Sequence, residues 1–266
     1  MESKGLMGGF YKITEWIMRI SGSNLLWLVC SLPFLFFTFV AFFTPGADAD
    51  FTRLNLWIMA ILAPFTFFPA TSALFSVVRK WVMGEADVSI IKTYFKGYKE
   101  NYKQSMLGGI FYTLLTVIMV VDYEMYMKQF NNLQFIGIVI LVFLVLLLVS
   151  LFHFFSMVAH YYLKVTQLIK NAILLTILKP FRMLSTVICT GVLVFLTIRF
   201  PWLIFFGLAS LTALVAFFNF YAAYNKVQEK VEKMRAAEDS GNEGSTDADD
   251  DESPLELPSG GEKEKD

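Results

Sequence analysis

Long apolar runs without charged residues occupy most of this chain, and they constrain its fold more than any other feature. A helix needs about 20 mostly apolar residues to cross the roughly 30 Å hydrocarbon core of a bilayer. Six runs approach or exceed this length, and they predict transmembrane helices near 24–43, 56–78, 104–121, 135–159, 183–198 and 202–224. Only 17% of the residues are charged, against about a quarter in soluble domains. The sequence therefore predicts an all-α membrane protein, a bundle of six transmembrane helices.

Lysine and arginine are distributed unevenly among the segments that connect these runs. The N-terminal segment carries three, the five connections carry one, six, one, four and one, and four more follow the last run directly. Because cytoplasmic segments are enriched in Lys and Arg, this alternation predicts that both termini are cytoplasmic. The fifth and sixth runs meet at Arg199-Phe200-Pro201. Their fusion into one long kinked helix is the alternative, and the alternation argues against it.

The net charge of −1 averages two regions of opposite charge. Residues 1–235 contain 20 Lys and Arg against 11 Asp and Glu, whereas residues 236–266 contain 2 against 12. We assign 1–235 to the membrane domain. The polar composition of 236–266 predicts a disordered acidic tail. Neither region predicts a nucleic-acid surface.

The second connection has the pattern of an amphipathic helix. From Ser89 onward, Ile91, Phe95, Tyr98 and Tyr102 fall within about 60° of one another at 100° per residue. A second stripe lies beside them, formed by Lys92, Lys96, Lys99 and Lys103. One interpretation is a helix at the inner leaflet with its lysines toward anionic headgroups. The other is a solvated helix packed on its own membrane domain, and the two are compatible. Val165–Leu178 predicts a second, weaker amphipathic helix in the fourth connection.

The predicted spans contain no Asp, Glu, Lys or Arg. Intramembrane charges commonly mark function, so we predict no catalytic, cofactor or metal site and a non-enzymatic protein. His153 and His160 share a face of the fourth span, where interhelical hydrogen bonding is the main interpretation and a proton or metal site the alternative. Pro64 and Pro69 can kink the second span, and Thr66, Thr71 and Ser72 are placed to bond the carbonyls that they free. Gly108, Gly109 and Gly191 predict close helix approach.

Two blocks resemble the bacterial YesL family of membrane proteins. The first comprises 5–20 (GLMGGFYKITEWIMRI) and 24–34 (NLLWLVCSLPF), and the second is 68–109. The resemblance extends over about 5–225 and fades in the acidic tail. Members of the family have no assigned activity, and their genes often accompany carbohydrate ABC importers. The resemblance implies a bacterial plasma-membrane protein with a role in carbohydrate uptake or utilisation, and it carries no catalytic residues to transfer.

These observations lead to one main hypothesis and two alternatives. The main hypothesis is an accessory protein that contacts a partner, such as a sugar ABC importer subunit, through its cytoplasmic loops, with homo-oligomerisation left open. The alternatives are a transporter or channel for a small neutral solute, and a membrane sensor. The candidate partner or headgroup contacts comprise the lysine stripe and four residues of the segment 79–85 (RKWVMGE), namely Arg79, Lys80, Trp81 and Glu85.

Overall fold

The computed structural model describes residues 6–128 and 133–242, and this part of the chain is helical with no strand. The helices are α1 (Leu6–Cys30), α2 (Leu32–Phe43), α3 (Ala49–Leu62), α4 (Phe67–Val82), α5 (Ile90–Lys128), α6 (Gln134–His160), α7 (Val165–Leu178), α8 (Pro180–Arg199), α9 (Leu203–Phe206) and α10 (Leu208–Asn242). By length and composition, α5, α6, α8 and α10 can each cross a membrane, and the bent pairs α1–α2 and α3–α4 raise the number to six if each pair is one span.

The first predicted span is not a single helix. α1 and α2 meet at Ser31 with a bend of 78°, because Pro33 lies in the first turn of α2, where it has no N–H to donate and its ring excludes a helical carbonyl four residues earlier. The second predicted span is likewise broken, with a bend of 52° between α3 and α4. The second span is thus kinked, as its prolines predict, and each bent pair remains a candidate for one membrane span.

α2 and α3 pack on each other as an antiparallel hairpin. At 1.5 Å per residue their 12 and 14 residues are about 18 and 21 Å long, shorter than the roughly 30 Å core. A hairpin returns to the side from which it starts, whether it crosses the bilayer or enters only part of it. Four or six crossings therefore both place the two ends of the bundle on the same side.

α4 is the central helix of the fold. Twelve of its sixteen residues are buried, and it packs against α1, α5, α6 and α10. The core around it is rich in aromatic side chains from α4 itself and from α5, α6 and α10, including Phe68, Phe75, Tyr112, Phe154, Phe155 and Phe217. A segment whose sequence predicts a lipid-exposed span is thus enclosed by other helices.

The remaining predicted spans agree with the structure to different degrees. α6 and α8 match the predicted 135–159 and 183–198 within three residues at each end. α8 ends at Arg199, so the fused alternative is wrong. The sixth span is interrupted at Gly207 and continues as α10 to Asn242, which places 236–242 in a helix rather than in the predicted disordered tail. Residues 243–266 lie outside the described residues.

The amphipathic helix of the second connection is not separate from the third span. α5 runs without a break for 39 residues, from Ile90 to Lys128, or about 58 Å. The fourth connection differs, because α7 ends before Lys179-Pro180 and α8 begins as a new helix. The lysines of the second connection are therefore carried on a direct extension of a membrane-spanning helix.

Candidate functional site

The segment 79–85 forms the end of α4 and the turn that follows it. The N–H of Glu85 bonds to the carbonyl of Lys80 at 2.9 Å, and the N–H of Gly84 bonds to that of Trp81 at 3.2 Å. This pair of bonds is a Schellman motif, which requires a left-handed residue after the helix. Gly84 meets that requirement with a φ of 92°. Gly84 and Glu85 therefore have a structural role, because their N–H groups form the turn that ends α4.

The structure corrects the prediction that Arg79 and Trp81 contact a partner or headgroups. Arg79 is 8% exposed and Trp81 is 5% exposed, so neither side chain can reach a docked molecule without unfolding. The Arg79 guanidinium donates to the carbonyl of Ala159 at 2.9 Å, in the last turn of α6. A cation there satisfies an unbonded carbonyl and stabilises the negative end of the helix dipole. Arg79 thus joins α4 to α6.

Lys80 and Glu85 are partly exposed and form a salt bridge with each other at 2.7 Å. A second ionic group lies on the adjacent helix, where Arg19 contacts Asp87 at 2.6 Å and also bonds Glu15 and the carbonyl of Ala86. These ion pairs hold the α4–α5 turn against α1. The segment 79–85 is therefore a structural junction more than a binding surface.

The four lysines of α5 lie on an exposed face. At 100° per residue Lys92, Lys96, Lys99 and Lys103 fall within about 60° of one another, and each is exposed. Ile91 and Phe95 border them, with 63% and 50% of their surfaces exposed. We call these six residues the lysine face. It combines positive charge and apolar surface on the membrane-proximal half of a long helix.

The opposite side of α5 packs on α4 through small and polar residues. Its buried positions in this half are Tyr94, Gly97, Asn101 and Ser105, centred about 170° from the lysines. A Cβ on Gly97 would lie 2.6 Å from Ser76 Cβ, so only glycine permits this approach. Within the predicted apolar stripe, Ile91 and Phe95 are exposed, whereas Tyr98 packs against the hydrophobic core. The sequence signal for the buried face was the recurrence of small or polar residues at helical spacing, Gly97, Asn101, Ser105 and Gly108.

The two histidines of α6 lie in different environments. His153 Nδ1 is 3.0 Å from Thr176 Oγ1 of α7, which confirms the interhelical hydrogen bond predicted there. His160 is 1% exposed and contacts five aromatic rings, those of Tyr161, Phe217, Phe220, Tyr221 and Tyr224. Among the described residues, no three His, Cys, Asp or Glu side chains are grouped to hold a metal ion.

The kink between α3 and α4 is packed. Pro64 lies at the break, and Gly109 of α5 approaches so closely that an added Cβ would lie 3.0 Å from Pro64 Cα and 2.8 Å from Phe68 Cγ. Pro69 is buried in α4, and Tyr102 of α5 donates to the carbonyl of Phe65 at 3.4 Å, the group that Pro69 leaves without its helical donor. Gly108 and Gly109 permit the close approach predicted for them, whereas a Cβ on Gly191 would meet nothing within 4 Å.

A polar clamp on α1, formed by Ser21, Ser23 and Asn24, was not singled out by the sequence interpretation. Asn24 is fully buried and its amide donates to the carbonyls of Ile204 and Phe205 at 2.7 and 2.9 Å. Its carbonyl oxygen accepts from the N–H groups of Ala209 and Ser210 at 3.0 and 3.4 Å. The signal was the run SGSN beside an apolar span, but its partners are some 180 residues away.

The sequence is similar to those of several known proteins. Residues 20–123, which contain the polar clamp, α4 and the lysine face, match the family described as "Protein of unknown function, DUF624". The chain is 29% identical over 229 residues to uncharacterized protein YteU of Bacillus subtilis, a match that covers 86% of this chain and 91% of YteU. It is 22% identical over 230 residues to uncharacterized protein YesL of the same organism, covering 86% and 96%.

The chain is similar to a YesL-like family of membrane proteins. A further relative, uncharacterized protein YesV of B. subtilis, is 27% identical over 178 residues, covering 65% of this YesL-like chain and 86% of YesV. No solved structure matches it. These similarities confirm the resemblance seen in the sequence, and the relatives are named as uncharacterized proteins.

Proposed function

We propose that this YesL-like chain is a non-enzymatic accessory protein of the bacterial plasma membrane that docks an acidic partner on its lysine face. The observation that carries the proposal is the exposed group of four lysines and two apolar side chains on α5. Charge complementarity guides protein association and sets its orientation. Exposed apolar side chains supply the buried contact that a stable interface needs.

Two further features support docking. α5 is continuous from the lysine face into the membrane, so that a partner bound there is rigidly connected to the transmembrane bundle. The helix is held by the close Gly97–Ser76 approach and by a 2.9 Å bond from Asn101 to Ser76 Oγ. The lysine face is therefore presented on a fixed surface, which lowers the entropy lost on binding.

The class of partner comes from the family resemblance. The YesL-like family's association with carbohydrate ABC importers makes a subunit of such an importer our proposed partner, with the termini and the lysine face in the cytoplasm. The rival proposal, a path for a neutral solute along the kinked second span, is less well supported because Pro64 and Phe68 pack closely on Gly109. Solute flux through purified protein in liposomes would favour that rival.

Crosslinking followed by affinity purification from native membranes tests the docking proposal. The test variant replaces Lys92, Lys96, Lys99 and Lys103 with Gln, which keeps the length and polarity of the side chains. The matched control replaces Lys164, Lys170 and Lys179, the basic residues of the fourth connection. We expect mass spectrometry to recover an importer subunit with the wild type and the control, and not with the test variant.

The proposal would be contradicted if the test variant recovered the same partner in the same yield. It would also be contradicted if no protein but only anionic lipid were enriched with the wild type and lost with the variant, since the lysines would then serve as headgroup contacts. Correct insertion of each variant is checked by its monodisperse elution in mild detergent.

A further inference from the structure

The acidic segment near the C-terminus is complementary to the lysine face in both charge and apolar content. Residues 247–252 contain five acids in six positions, Asp247, Asp249, Asp250, Asp251 and Glu252. After Ser253 comes the sequence PLELP, and its Leu255 and Leu257 are the only large apolar residues of 243–266. On α5, four lysines lie beside Ile91 and Phe95.

We infer that residues 247–258 of this chain dock on its own lysine face and compete with the partner for it. The acids contact the lysines, and the two leucines cover Ile91 and Phe95. The consequence of this contact, autoinhibition, rests on the proposed function. The contact itself is inferred from the complementary charge and apolar content of the two segments.

The segment is long enough to reach the lysine face. Gln104, next to Lys103, donates to the carbonyl of Leu163 at 2.8 Å, and His160, three residues before Leu163, contacts the ring of Tyr224. The lysine face and the outer part of α10 therefore begin at the same end of the bundle. From Tyr224 to Asn242 α10 extends about 27 Å, and the ten residues from Asn242 to Glu252 can span up to about 35 Å.

α5 is a better site for the acids than α10, although α10 is closer in sequence. Residues 226–235 contain four basic residues and two glutamates, Glu229 and Glu232, and Glu229 is spaced to pair with Lys226 and Lys233 on the same helix. In residues 90–103 one glutamate, Glu100, is likewise spaced to pair with Lys96 and Lys103, but four lysines against one glutamate leave a larger excess of positive charge than in 226–235. Because the segment is covalently attached, its effective concentration at the lysine face is far above that of a separate partner.

Photocrosslinking from the lysine face tests the contact in the full chain. A benzoylphenylalanine replaces Phe95 in protein purified in uncharged detergent, and crosslinked peptides are mapped by mass spectrometry. We expect crosslinks to 247–258. Replacing the four lysines with Gln, or the five acids with Asn and Gln, should lower the yield by at least about fivefold, and so should 1 M salt, which shortens the screening length to about 3 Å.

Two further variants make the test specific. Neutralising Lys226, Lys230, Lys233 and Arg235 of α10 is the matched control, and it should leave the yield unchanged. Glu at the four lysines alone, or Lys at the five acids alone, should abolish the crosslink. Both changes together exchange the charges and should restore its yield. A yield that does not depend on the α5 lysines, or that depends on the α10 residues instead, overturns the inference. So does loss of the crosslink in nanodiscs with anionic lipid, because lipid would then occupy the lysine face.

The same variants separate this inference from the proposed function. Neutralising the five acids should increase partner recovery from membranes if the segment is a competitor. If the crosslink is absent but the lysine variant still loses its partner, the autoinhibition is wrong and the docking proposal remains. If the crosslink is present but partner recovery does not depend on the lysines, the docking proposal is wrong and the intramolecular contact remains.

Discussion

Replacing Asn24 with Ala should destabilise the bundle more than any other single truncation of a polar side chain on α1. Asn24 Oδ1 accepts from the second and third N–H groups of α10, which is the bonding of a helix N-cap residue. Gly207, which precedes α10, has no side chain to supply that acceptor. Asn24 therefore caps α10 from a different helix, and its amide bonds two carbonyls of α9 at the same time.

The magnitude follows from these four bonds. Loss of an N-cap costs about 0.5–2 kcal/mol, and leaving a buried partner without a hydrogen bond costs about 1–3 kcal/mol. Since neighbouring losses are not additive, we expect Asn24→Ala to lower the free energy of unfolding by about 2–4 kcal/mol. Asn24→Asp keeps the acceptor for α10 but faces the carbonyls of Ile204 and Phe205 with a second oxygen, so it should rescue little of this loss.

Reversible unfolding in mixed micelles of increasing dodecyl sulfate content, followed by tryptophan fluorescence, measures the change. The matched control is Thr14→Ala, since Thr14 is exposed and bonds only the carbonyl four residues before it on α1. That variant should stay within about 0.5 kcal/mol of the wild type. The reasoning would be refuted if Asn24→Ala also fell within that range, because the capping geometry would then contribute nothing to the α1–α10 contact.

Four further changes test other contacts. Gly97→Ala should destabilise the protein by about 1–3 kcal/mol because its Cβ would overlap Ser76, whereas Gly191→Ala, with nothing within 4 Å, should be neutral or slightly stabilising in the same unfolding assay. Gly84→Ala should cost about 1 kcal/mol, since alanine is strained at a φ of 92°; an unchanged midpoint would argue against the Schellman turn. Tyr112→Phe should cost about 1 kcal/mol through its 3.0 Å bond to Ser150, and Ser150→Ala should add little in the double variant. Arg79→Met should lower the unfolding midpoint by loosening α6 from α4, with no comparable effect from the exposed Arg53→Met.

The chain's membrane class and most of its helix positions could be predicted from the sequence. Long uncharged apolar runs are stable only inside a bilayer or a protein core. Their lengths located α6 and α8 within three residues at each end. The break near Pro64 and the close approaches at Gly108 and Gly109 follow from local chemistry that any environment would preserve. The lysines of α5 were also identified correctly as one stripe, because the period of a helix depends only on its own backbone.

The candidate site could be predicted only in part, because burial is a property of the assembled helices. The segment 79–85 reads as a basic loop beside a membrane span, yet Arg79 and Trp81 are buried because α6 and α1 pack over them. The sequence pattern showed that Ile91 and Phe95 share a helix face but not which face is buried, and α4 packs on the other side, at Gly97.

By itself, the sequence determined that the chain is helical and membrane-embedded, where its apolar runs lie, and which side chains share a helix face. Each of these depends on residues near one another in the chain. Only the tertiary structure decided that α4 is the central helix and that Asn24 caps a helix some 185 residues away. Those outcomes depend on which helices approach one another. The free energy that favours one arrangement is distributed over many contacts between residues far apart in the chain, and no local sequence pattern encodes it.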